Sequence, residues 1–388
     1  MISFELDDEV KALQETAKKF AENEIRPIMR ECEKSGDVPD SLLKKYHELG
    51  MSMLDCPESA CGMGCPLTWN VVLQEELGWG DAGIAAALGG PGHAGAALMV
   101  FGSPEQLDKY LAPFAEESAY ARRGTIAILE DDRGQEIWHM KVTAKKKGDK
   151  WEINGKKAYV INGPSSDLVI VFARVEEGQG WNGVKAFAVE KGTSGMVPGE
   201  PKRLMGLNAV KVSDIVFDEC AVPEGAMLAG QPDTEAGIAA MLDRIRCVDS
   251  ARLIGMARAA SEYAINYSQE RVAFGKPIGH FQALAFLMSD MATEVNASRW
   301  MVWRAAWAVD NNHPKAHTMV AKAVAQTNEM SLFVTNNAVQ ILGGHGFIQD
   351  HPVEKWMRDA RSHTILFGQT HLQNLVIAGE ALAGGKKA

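Results

Sequence analysis

The spacing of apolar residues changes twice along this chain of 388 residues, and this change limits the possible fold more than any other feature. In residues 1–118 apolar side chains recur at helical spacing. Between 119 and 228 the period shortens to two, and short apolar runs such as Leu168–Phe172 are divided by glycine-rich turns. From 229 to 388 helical spacing returns in segments long enough for a bundle. We therefore predict a mainly helical α+β protein with an N-terminal helical domain, a middle β-barrel-like domain and a C-terminal four-helix bundle.

Three local predictions refine this outline. Asn154-Gly155 stands between two apolar segments, and because both residues tolerate positive φ we expect a hairpin turn there. Apolar residues repeat at helical spacing through Met241–Gln269, which predicts one long helix. The segment 352–382 predicts a single last helix. No low-complexity linker separates these segments, so we expect the three domains to pack as one unit.

Composition argues against several classes of protein. The chain is 46% hydrophobic and 23% charged, as is typical of a globular fold, and its net charge of −10 argues against nucleic-acid binding. No apolar run reaches the roughly 18 residues that a membrane helix needs. The N-terminus has no signal or transit pattern, and the 6 cysteines predict neither a disulfide framework nor a metal site. We expect a cytoplasmic protein that does not contact membranes.

Three short motifs have charges or glycines in patterns that suit a phosphate-bearing ligand. Arg271 to Lys276 puts two cations and an aromatic ring at a helix end, where capping of the helix dipole is the simpler explanation. Gln340 to Gly346 is rich in glycine, and by itself it could be a tight turn between helices. Asp243 and Arg246 share one face of the long helix, so an intrahelical ion pair competes with a ligand contact. Each motif alone is weak evidence.

Taken together in order and spacing, these features resemble the acyl-CoA dehydrogenase family over essentially the whole chain. The likeness is carried by segments spread along the sequence: Phe4-Glu5-Leu6, Phe20 to Ile25, Pro57 to Gly64, Ile153 to Lys157, Arg271 to Ile278, Gln340 to Phe347 and Arg358 to Arg361. This resemblance implies the three-domain fold described above, usually as a homotetramer. It also implies FAD as cofactor, an acyl-CoA thioester as substrate and an electron-transfer flavoprotein as electron acceptor.

The resemblance also implies roles for particular residues. The positions that hold the pyrophosphate and adenine end of FAD match Arg271, Phe274 and Gln282. The contacts that cross to the FAD of a neighbouring subunit match Gln340, Gly343 and Gly344, and further FAD contacts match Gln369 and His371. The positions that read the pantetheine and thioester arm of CoA match Asp243 and Arg246, and the stretch beside the thioester contains Phe367 and Gly368.

The chain departs from the family at the base that removes the α-proton. The usual glutamate falls on Phe367, and the alternative position on the long helix falls on Ile245. Both positions are apolar, so neither side chain can accept a proton. If the family reaction is kept, another residue must act as the base.

The flavin side of the expected site departs as well. The hydroxyl that faces the flavin ring becomes Leu129, and the serine near the substrate becomes Gln135. In the second flavin-facing strand Tyr159-Val160-Ile161 replaces an aromatic–Ile–Thr pattern, so the hydroxyl is missing at Ile161. Backbone N–H groups can supply part of the lost hydrogen bonding because they do not depend on the side chain.

This pattern leaves three functional hypotheses open. The first is an FAD-dependent dehydrogenase with a relocated base, acting on an unusual acyl group such as an alicyclic ring or a dicarboxylic acid; its candidate acid/base residues are Asp249, His93 and Tyr159. The second is a non-redox acyl-CoA lyase, hydratase or ring-opening enzyme, in which Glu130 or Asp131 joins Asp249 and His93 as a candidate. The third is a non-catalytic subunit that completes the FAD site of a partner chain. We favour the first.

Overall fold

A computed structural model describes residues 5–131, 139–176, 180–230 and 233–384, and it confirms the predicted fold class and order of elements. The N-terminal helices are α1 (Asp8–Phe20), α2 (Met29–Ser35), α3 (Asp40–Glu48), α4 (Leu67–Ala87), α5 (Gly92–Phe101) and α6 (Pro104–Tyr110). The strands are β1 (Gly124–Ala127), β2 (Thr143–Lys147), β3 (Lys150–Ile161), β4 (Leu168–Arg174), β5 (Val184–Glu190), β6 (Met196–Pro198), β7 (Val212–Pro223), β8 (Val272–Ala273) and β9 (Lys276–Pro277). The C-terminal helices are α7 (Thr234–Glu270), α8 (Gln282–Asp310), α9 (Ala316–Leu342), α10 (Val353–His363) and α11 (Thr370–Gly384).

Helices α4 and α7 cross closely because two glycines let their backbones approach. A Cβ atom on Gly78 would lie 2.2 Å from the carbonyl oxygen of Arg252, and one on Gly255 would lie 1.9 Å from that of Glu75. Any side chain at either position would force the two helices apart. As a result, the N-terminal helices and the C-terminal bundle share one continuous hydrophobic core.

Helix α4 is capped at its start and bent near its end. The backbone N–H groups of Leu67 and Thr68 donate to the carboxylate of Asp310 on α8, at 2.9 and 3.0 Å. This carboxylate satisfies donors that the first helical turn leaves unpaired. Near the other end, Asp81 has extended backbone (φ −167°, ψ 123°), so α4 changes direction there.

The middle block is a seven-stranded sheet with the order β1-β4-β2-β3-β7-β6, and β5 pairs with β4. The two longest strands, β3 and β7, run antiparallel, whereas β1 and β4 run parallel. Apolar side chains from one face, such as Ile153 and Ile215, form a separate core within the sheet. The other face of β4 and β5 packs against α5 and the first half of α7.

The predicted hairpin turn at Asn154-Gly155 is wrong. Both residues lie inside the continuous strand β3, where the register against β7 shifts between Ile153 and Gly155. Gly155 has a φ of 129°, and Asn154 Oδ1 accepts a hydrogen bond from the Glu219 backbone N–H at 2.8 Å. The chain reverses earlier, at Gly148 (φ 63°), between β2 and β3. An Asn-Gly pair suits a bulge for the same reason that it suits a turn, since both conformations need positive φ.

The predicted single last helix is also wrong, whereas the predicted long helix is confirmed as α7. Between α10 and α11 the chain makes a π-helical turn at Thr364–Gly368, and Gln369 then adopts a left-handed conformation with φ 46°. The Gln369 N–H donates to the Thr364 carbonyl at 3.0 Å, which closes this turn. Phe367 therefore lies in a turn and not on the face of a regular helix.

The described residues form no disulfide bond, no membrane-spanning helix and no metal-binding cluster. All 6 cysteines are free thiols, and most are buried. Within the described ranges, no helix combines the length and apolar character needed to cross a bilayer. Among the residues that the structure describes, no group of three His, Cys, Asp or Glu side chains is placed to hold a metal ion.

Candidate active site

Two cavities meet where α7 passes between the N-terminal helices and the sheet. The first, the helical cavity, has about 910 Å³ of space, its opening to solvent included, and is lined mainly by α4, α5, α7 and the loop around residues 51–56. The second, the sheet-side cavity, has about 810 Å³ on the same measure and is lined by β1, β3, α7 and the segment after α10. Four residues line both cavities and form a shared wall: His93, Ile161, Ile245 and Phe367. Ile245 and Phe367, the two positions predicted for a carboxylate base, thus both lie on this wall.

Helix α7 presents a different row of residues to each cavity. Arg244, Val248 and Arg252 follow each other at intervals of one helical turn and line the helical cavity. Leu242, Arg246 and Asp249 form the neighbouring row and line the sheet-side cavity. Ile245 lies between the two rows and therefore contacts both spaces.

Phe367 is flanked by two imidazole rings. The ring of His363 lies 4.7 Å from that of Phe367, and the ring of His93 lies 6.0 Å away with its plane nearly perpendicular (83°). The two histidines differ in access, because His93 lines both cavities whereas His363 lines neither. A substrate beside Phe367 would therefore meet His93 first.

A chain of polar contacts holds His93 from behind. His93 Nε2 lies 3.4 Å from Asp249 Oδ2, and Arg252 Nη1 donates to Asp249 Oδ1 at 2.8 Å. Arg252 Nε in turn donates to Gln74 Oε1 at 2.6 Å. Burial by itself would raise the pKa of Asp249, but His93 and Arg252 outweigh burial and hold that pKa below its usual value. Asp249 therefore stays ionised and suits the role of orienting His93 better than that of a base.

We expect acid to destabilise the fold through His363. Burial lowers the pKa of His363 to about 4, although the charge of Asp249 opposes this shift. In the unfolded chain a histidine titrates near pH 6.5, so between these values the unfolded state binds more protons. The contribution of His363 is complete above about pH 6.5 and is lost as the pH falls towards 4, which amounts to about 2 kcal/mol at pH 5. Urea unfolding at about pH 7 and pH 5 measures this loss.

The matched variants for this measurement are His363→Gln and His280→Gln. His280 is exposed, so its replacement should leave the pH dependence of the free energy of unfolding as it is in the wild type. In His363→Gln the difference between the two pH values should shrink by most of the predicted amount. An unchanged difference would show that another group causes the acid sensitivity.

The floor of the sheet-side cavity is fixed by a buried ion pair. Lys157 Nζ donates to Glu130 Oε1 at 2.9 Å and to the Ile128 carbonyl at 3.1 Å. Glu130 also accepts hydrogen bonds from the backbone N–H groups of Lys141 and Val142. Burial lowers the pKa of Lys157 to about 8, and Glu130 opposes that shift. This pair anchors the chain just after β1, where it lines the cavity.

Two candidates of the non-redox hypothesis are thereby engaged elsewhere. Glu130 is buried in its pair with Lys157, and Asp131 forms an ion pair with Lys156. Neither acidic residue lines the helical cavity or the sheet-side cavity. Gln135, which was predicted to contact the flavin and the substrate, lies outside the described residues.

The other residues predicted near the flavin ring come together at the sheet-side cavity. Leu129, Tyr159, Ile161 and Gln369 all line it. Tyr159 has a φ of 52°, which is uncommon for a bulky residue, and 48% of its surface is exposed. Lys202 Nζ lies 4.8 Å from the centre of its ring. A space lined mostly by apolar side chains suits an isoalloxazine ring, so the residues present fit the flavin of FAD.

The residues predicted to hold the pyrophosphate and adenine end lie on the surface of the bundle. Arg271 ends α7 directly before the short β8–β9 hairpin, and Phe274 lies in the turn of that hairpin and is 97% exposed. Gln282, Gln340 and His371 are exposed as well. A Cβ on Gly343 or Gly344 would meet no atom within 4 Å. This surface leaves cationic and backbone donors open to an anionic group, and it fits the pyrophosphate.

Asp243 and Arg246 do not form the expected intrahelical ion pair as their main contact. The Asp243 carboxylate instead lies 3.0 Å from His317 Nδ1 on α9. Arg246 lines the sheet-side cavity, and burial lowers the pKa of its guanidinium. Arg246 thus lies at the sheet-side cavity, whereas Asp243 contacts the helical bundle through His317.

Sequence reasoning missed one polar cluster in the helical cavity. Asp55 accepts hydrogen bonds from Asn70 Nδ2 at 3.0 Å and from Arg244 Nη2 at 2.9 Å. Its members come from a loop, from α4 and from α7, so no short motif contains them. The only sequence signal for this cluster is that Arg244 directly precedes Ile245, one of the two positions predicted for the base.

Comparison with known families gives three matches that together span nearly all of the chain. The model "Acyl-CoA dehydrogenase, N-terminal domain" matches residues 7–118. The model "Acyl-CoA dehydrogenase, middle domain" matches residues 125–220. The model "Acyl-CoA dehydrogenase, C-terminal domain" matches residues 237–382.

Individual proteins are similar over the same length. The mitochondrial short-chain specific acyl-CoA dehydrogenase of Rattus norvegicus is 32% identical over 384 residues, which are 98% of this chain and 92% of that protein. Butyryl-CoA dehydrogenase from Megasphaera elsdenii has a structure that matches with a TM-score of 0.92 at 30% identity, covering 98% of this chain and 100% of that one. A chain from the structural study of the electron transferring flavoprotein of Acidaminococcus fermentans matches with a TM-score of 0.92 at 32% identity, covering 98% and 100%.

Proposed function

The chain belongs to the acyl-CoA dehydrogenase family, whose members are FAD-dependent oxidoreductases acting on CH–CH donors, and on this premise we propose that it oxidises an unusual acyl-CoA thioester with His93 as the base. The observation that carries this proposal is the position of His93 on the shared wall beside Phe367. The base has moved from the turn after α10 to the start of α5. Both positions face the same space.

The proposed chemistry divides between a base and a residue that positions it. His93 Nε2 faces Asp249 Oδ2 at 3.4 Å, which leaves Nδ1 to accept the α-proton of the acyl group. Asp249 keeps the imidazole in that tautomer and stabilises the charge that forms on it. FAD, when bound, would supply the oxidising equivalent for removal of the β-hydrogen as a hydride. Phe367 forms part of the shared wall, at the position where the resemblance places the glutamate base.

We further propose the remaining roles from the positions of the side chains. Arg246 contacts the CoA thioester arm, and Asp243 positions α7 through His317. Tyr159 would lie beside the ring of FAD, and we assign it no role as the base, since it is half exposed and Lys202 Nζ lies over its ring. The exposed contacts at Gln340 and Gly343 serve a neighbouring subunit in a homotetramer, and an electron-transfer flavoprotein takes the electrons.

Anaerobic mixing of the FAD-loaded protein with a panel of acyl-CoA esters tests the proposed function. We expect the flavin absorbance to bleach with at least one ester and the product to lack two hydrogen atoms. Consumption of an ester while the flavin stays oxidised would instead support the non-redox hypothesis. Turnover only in the presence of a second, related chain would support the non-catalytic one.

A further inference from the structure

We propose that the helical cavity selects an acyl group that has a hydroxyl remote from the thioester, and that Asn70 and Arg244 recognise this hydroxyl. The inference rests on the proposed function, because it assigns the substrate class of the same site. It is carried by two buried polar atoms that have no partner, Asn70 Oδ1 and Arg244 Nε. Both side chains line the helical cavity.

Asp55 fixes the orientation of both side chains. Its Oδ1 accepts from Asn70 Nδ2 at 3.0 Å, and its Oδ2 accepts from Arg244 Nη2 at 2.9 Å. A carboxylate can only accept, so the amide of Asn70 must turn its NH₂ group to Asp55. What remains unused on the same cluster is one acceptor, Asn70 Oδ1, and one donor, Arg244 Nε.

A hydroxyl is the group that complements such a pair. It can both donate and accept, so it offers a partner to a lone acceptor such as Asn70 Oδ1 and to a lone donor such as Arg244 Nε. A saturated hydrocarbon chain would leave both buried atoms without a partner, which is unfavourable. A carboxylate could use only the donor, and it would put a second negative charge next to Asp55.

The other charges around the cavity do not call for an anion. Arg252 is engaged by Asp249 and Gln74. Arg123 donates through Nε to the Ala87 carbonyl at 2.9 Å, and the nearby negative charges of Asp37 and Asp167 act on its guanidinium. Since Arg244 is itself balanced by Asp55, the cluster is close to neutral and suits a neutral polar group.

The position of the cluster places the hydroxyl away from the reacting carbons. Asp55, Asn70 and Arg244 line the helical cavity alone, whereas His93 and Phe367 line both cavities. The α- and β-carbons must lie by His93 at the shared wall. The remote part of the acyl group then extends into the helical cavity, towards the cluster.

Matched acyl-CoA esters of one chain length test this inference with the FAD-loaded enzyme. The set contains an unsubstituted ester, the same ester with a terminal or near-terminal hydroxyl, and one with a terminal carboxylate. In the wild type, kcat/KM for flavin reduction should be at least about 10-fold higher for the best hydroxyl ester than for either other ester. In Asn70→Leu this preference should fall to about threefold or less.

Two further variants separate recognition from folding. Ser52→Ala removes another polar group of the helical cavity, one that bonds His47, and should keep the hydroxyl preference. Arg244→Met should lose the preference as Asn70→Leu does, while flavin content reports that both variants are folded. A wild type that prefers the unsubstituted or the carboxylate ester overturns the inference, and so does an Asn70→Leu variant that keeps the hydroxyl preference.

The inference and the proposed function can fail separately. If no ester bleaches the flavin, the proposed oxidation is wrong, and equilibrium dialysis of the same esters then decides the inference by their dissociation constants. Tighter binding of the hydroxyl ester that depends on Asn70 would still support it. Equal binding of all three esters would overturn it.

Discussion

Replacement of His93 by glutamine is expected to lower kcat for flavin reduction by roughly 10²- to 10⁴-fold, because general-base catalysis typically contributes that much. Glutamine keeps the approximate size of the imidazole but cannot accept a proton. The KM for the acyl-CoA ester should change little, since His93 is one of many residues on the cavity wall. Stopped-flow measurement at saturating substrate gives the limiting rate constant of flavin reduction, which is the step that the base acts on.

Two variants make this result specific for the base. Asp249→Asn should lower kcat with little change in KM, which is the behaviour of a residue that positions the base. Phe367→Glu places a carboxylate at the position predicted for the base from the family resemblance, and in the His93→Gln background it should restore part of the lost rate. If His93→Gln keeps its rate within about threefold of the wild type, His93 is not the base.

Replacement of Lys355 by methionine is expected to lower the free energy of unfolding by about 3–5 kcal/mol. Lys355 is buried between Asp81 and Asp359, and its Nζ lies 2.6 Å from Asp359 Oδ2. The two carboxylates raise the pKa of Lys355 against the effect of burial, so it stays charged. Without this cation the chain would have two buried carboxylates side by side. Urea denaturation followed by circular dichroism measures the change.

The control for this prediction is an exposed ion pair. Lys44 lies 3.9 Å from Glu48 on α3, and both side chains are more than half exposed. Lys44→Met should therefore cost no more than about 0.5 kcal/mol. A similarly small loss in Lys355→Met would mean that the triad of Lys355, Asp81 and Asp359 does not stabilise the fold.

The charged motif at 358–361, which carries part of the family resemblance, makes structural contacts with two other parts of the fold. In Arg358-Asp359-Ala360-Arg361, Arg358 pairs with Glu33 at 2.7 Å on α2, and Asp359 accepts from the Leu207 backbone N–H at 2.6 Å. The motif thus ties the N-terminal helices and the middle block to α10. It fixes the start of the turn that contains Phe367, which lies on the shared wall. Its role is to position the site.

Several features of the fold could be predicted because they depend on short stretches of chain. Helical spacing identified α7, and short apolar runs identified the strands β4 and β5, which are buried on both faces. The prediction of a hairpin at Asn154-Gly155 was wrong because a local φ preference does not distinguish a bulge from a turn. The break between α10 and α11 was not predicted because a π-helical turn keeps nearly helical spacing of the side chains.

The sequence by itself indicated, through the family resemblance, that Phe367 and Ile245 occupy the two positions at which a carboxylate base would be expected. It could not say what stands in its place. His93 and Asp249 are far apart in the chain, and they meet because α5 packs on α7. The same is true of Asp55, Asn70 and Arg244. Residue identity is a local property, whereas the pairing of polar side chains inside a cavity depends on which helices cross, and the tertiary structure alone decides that.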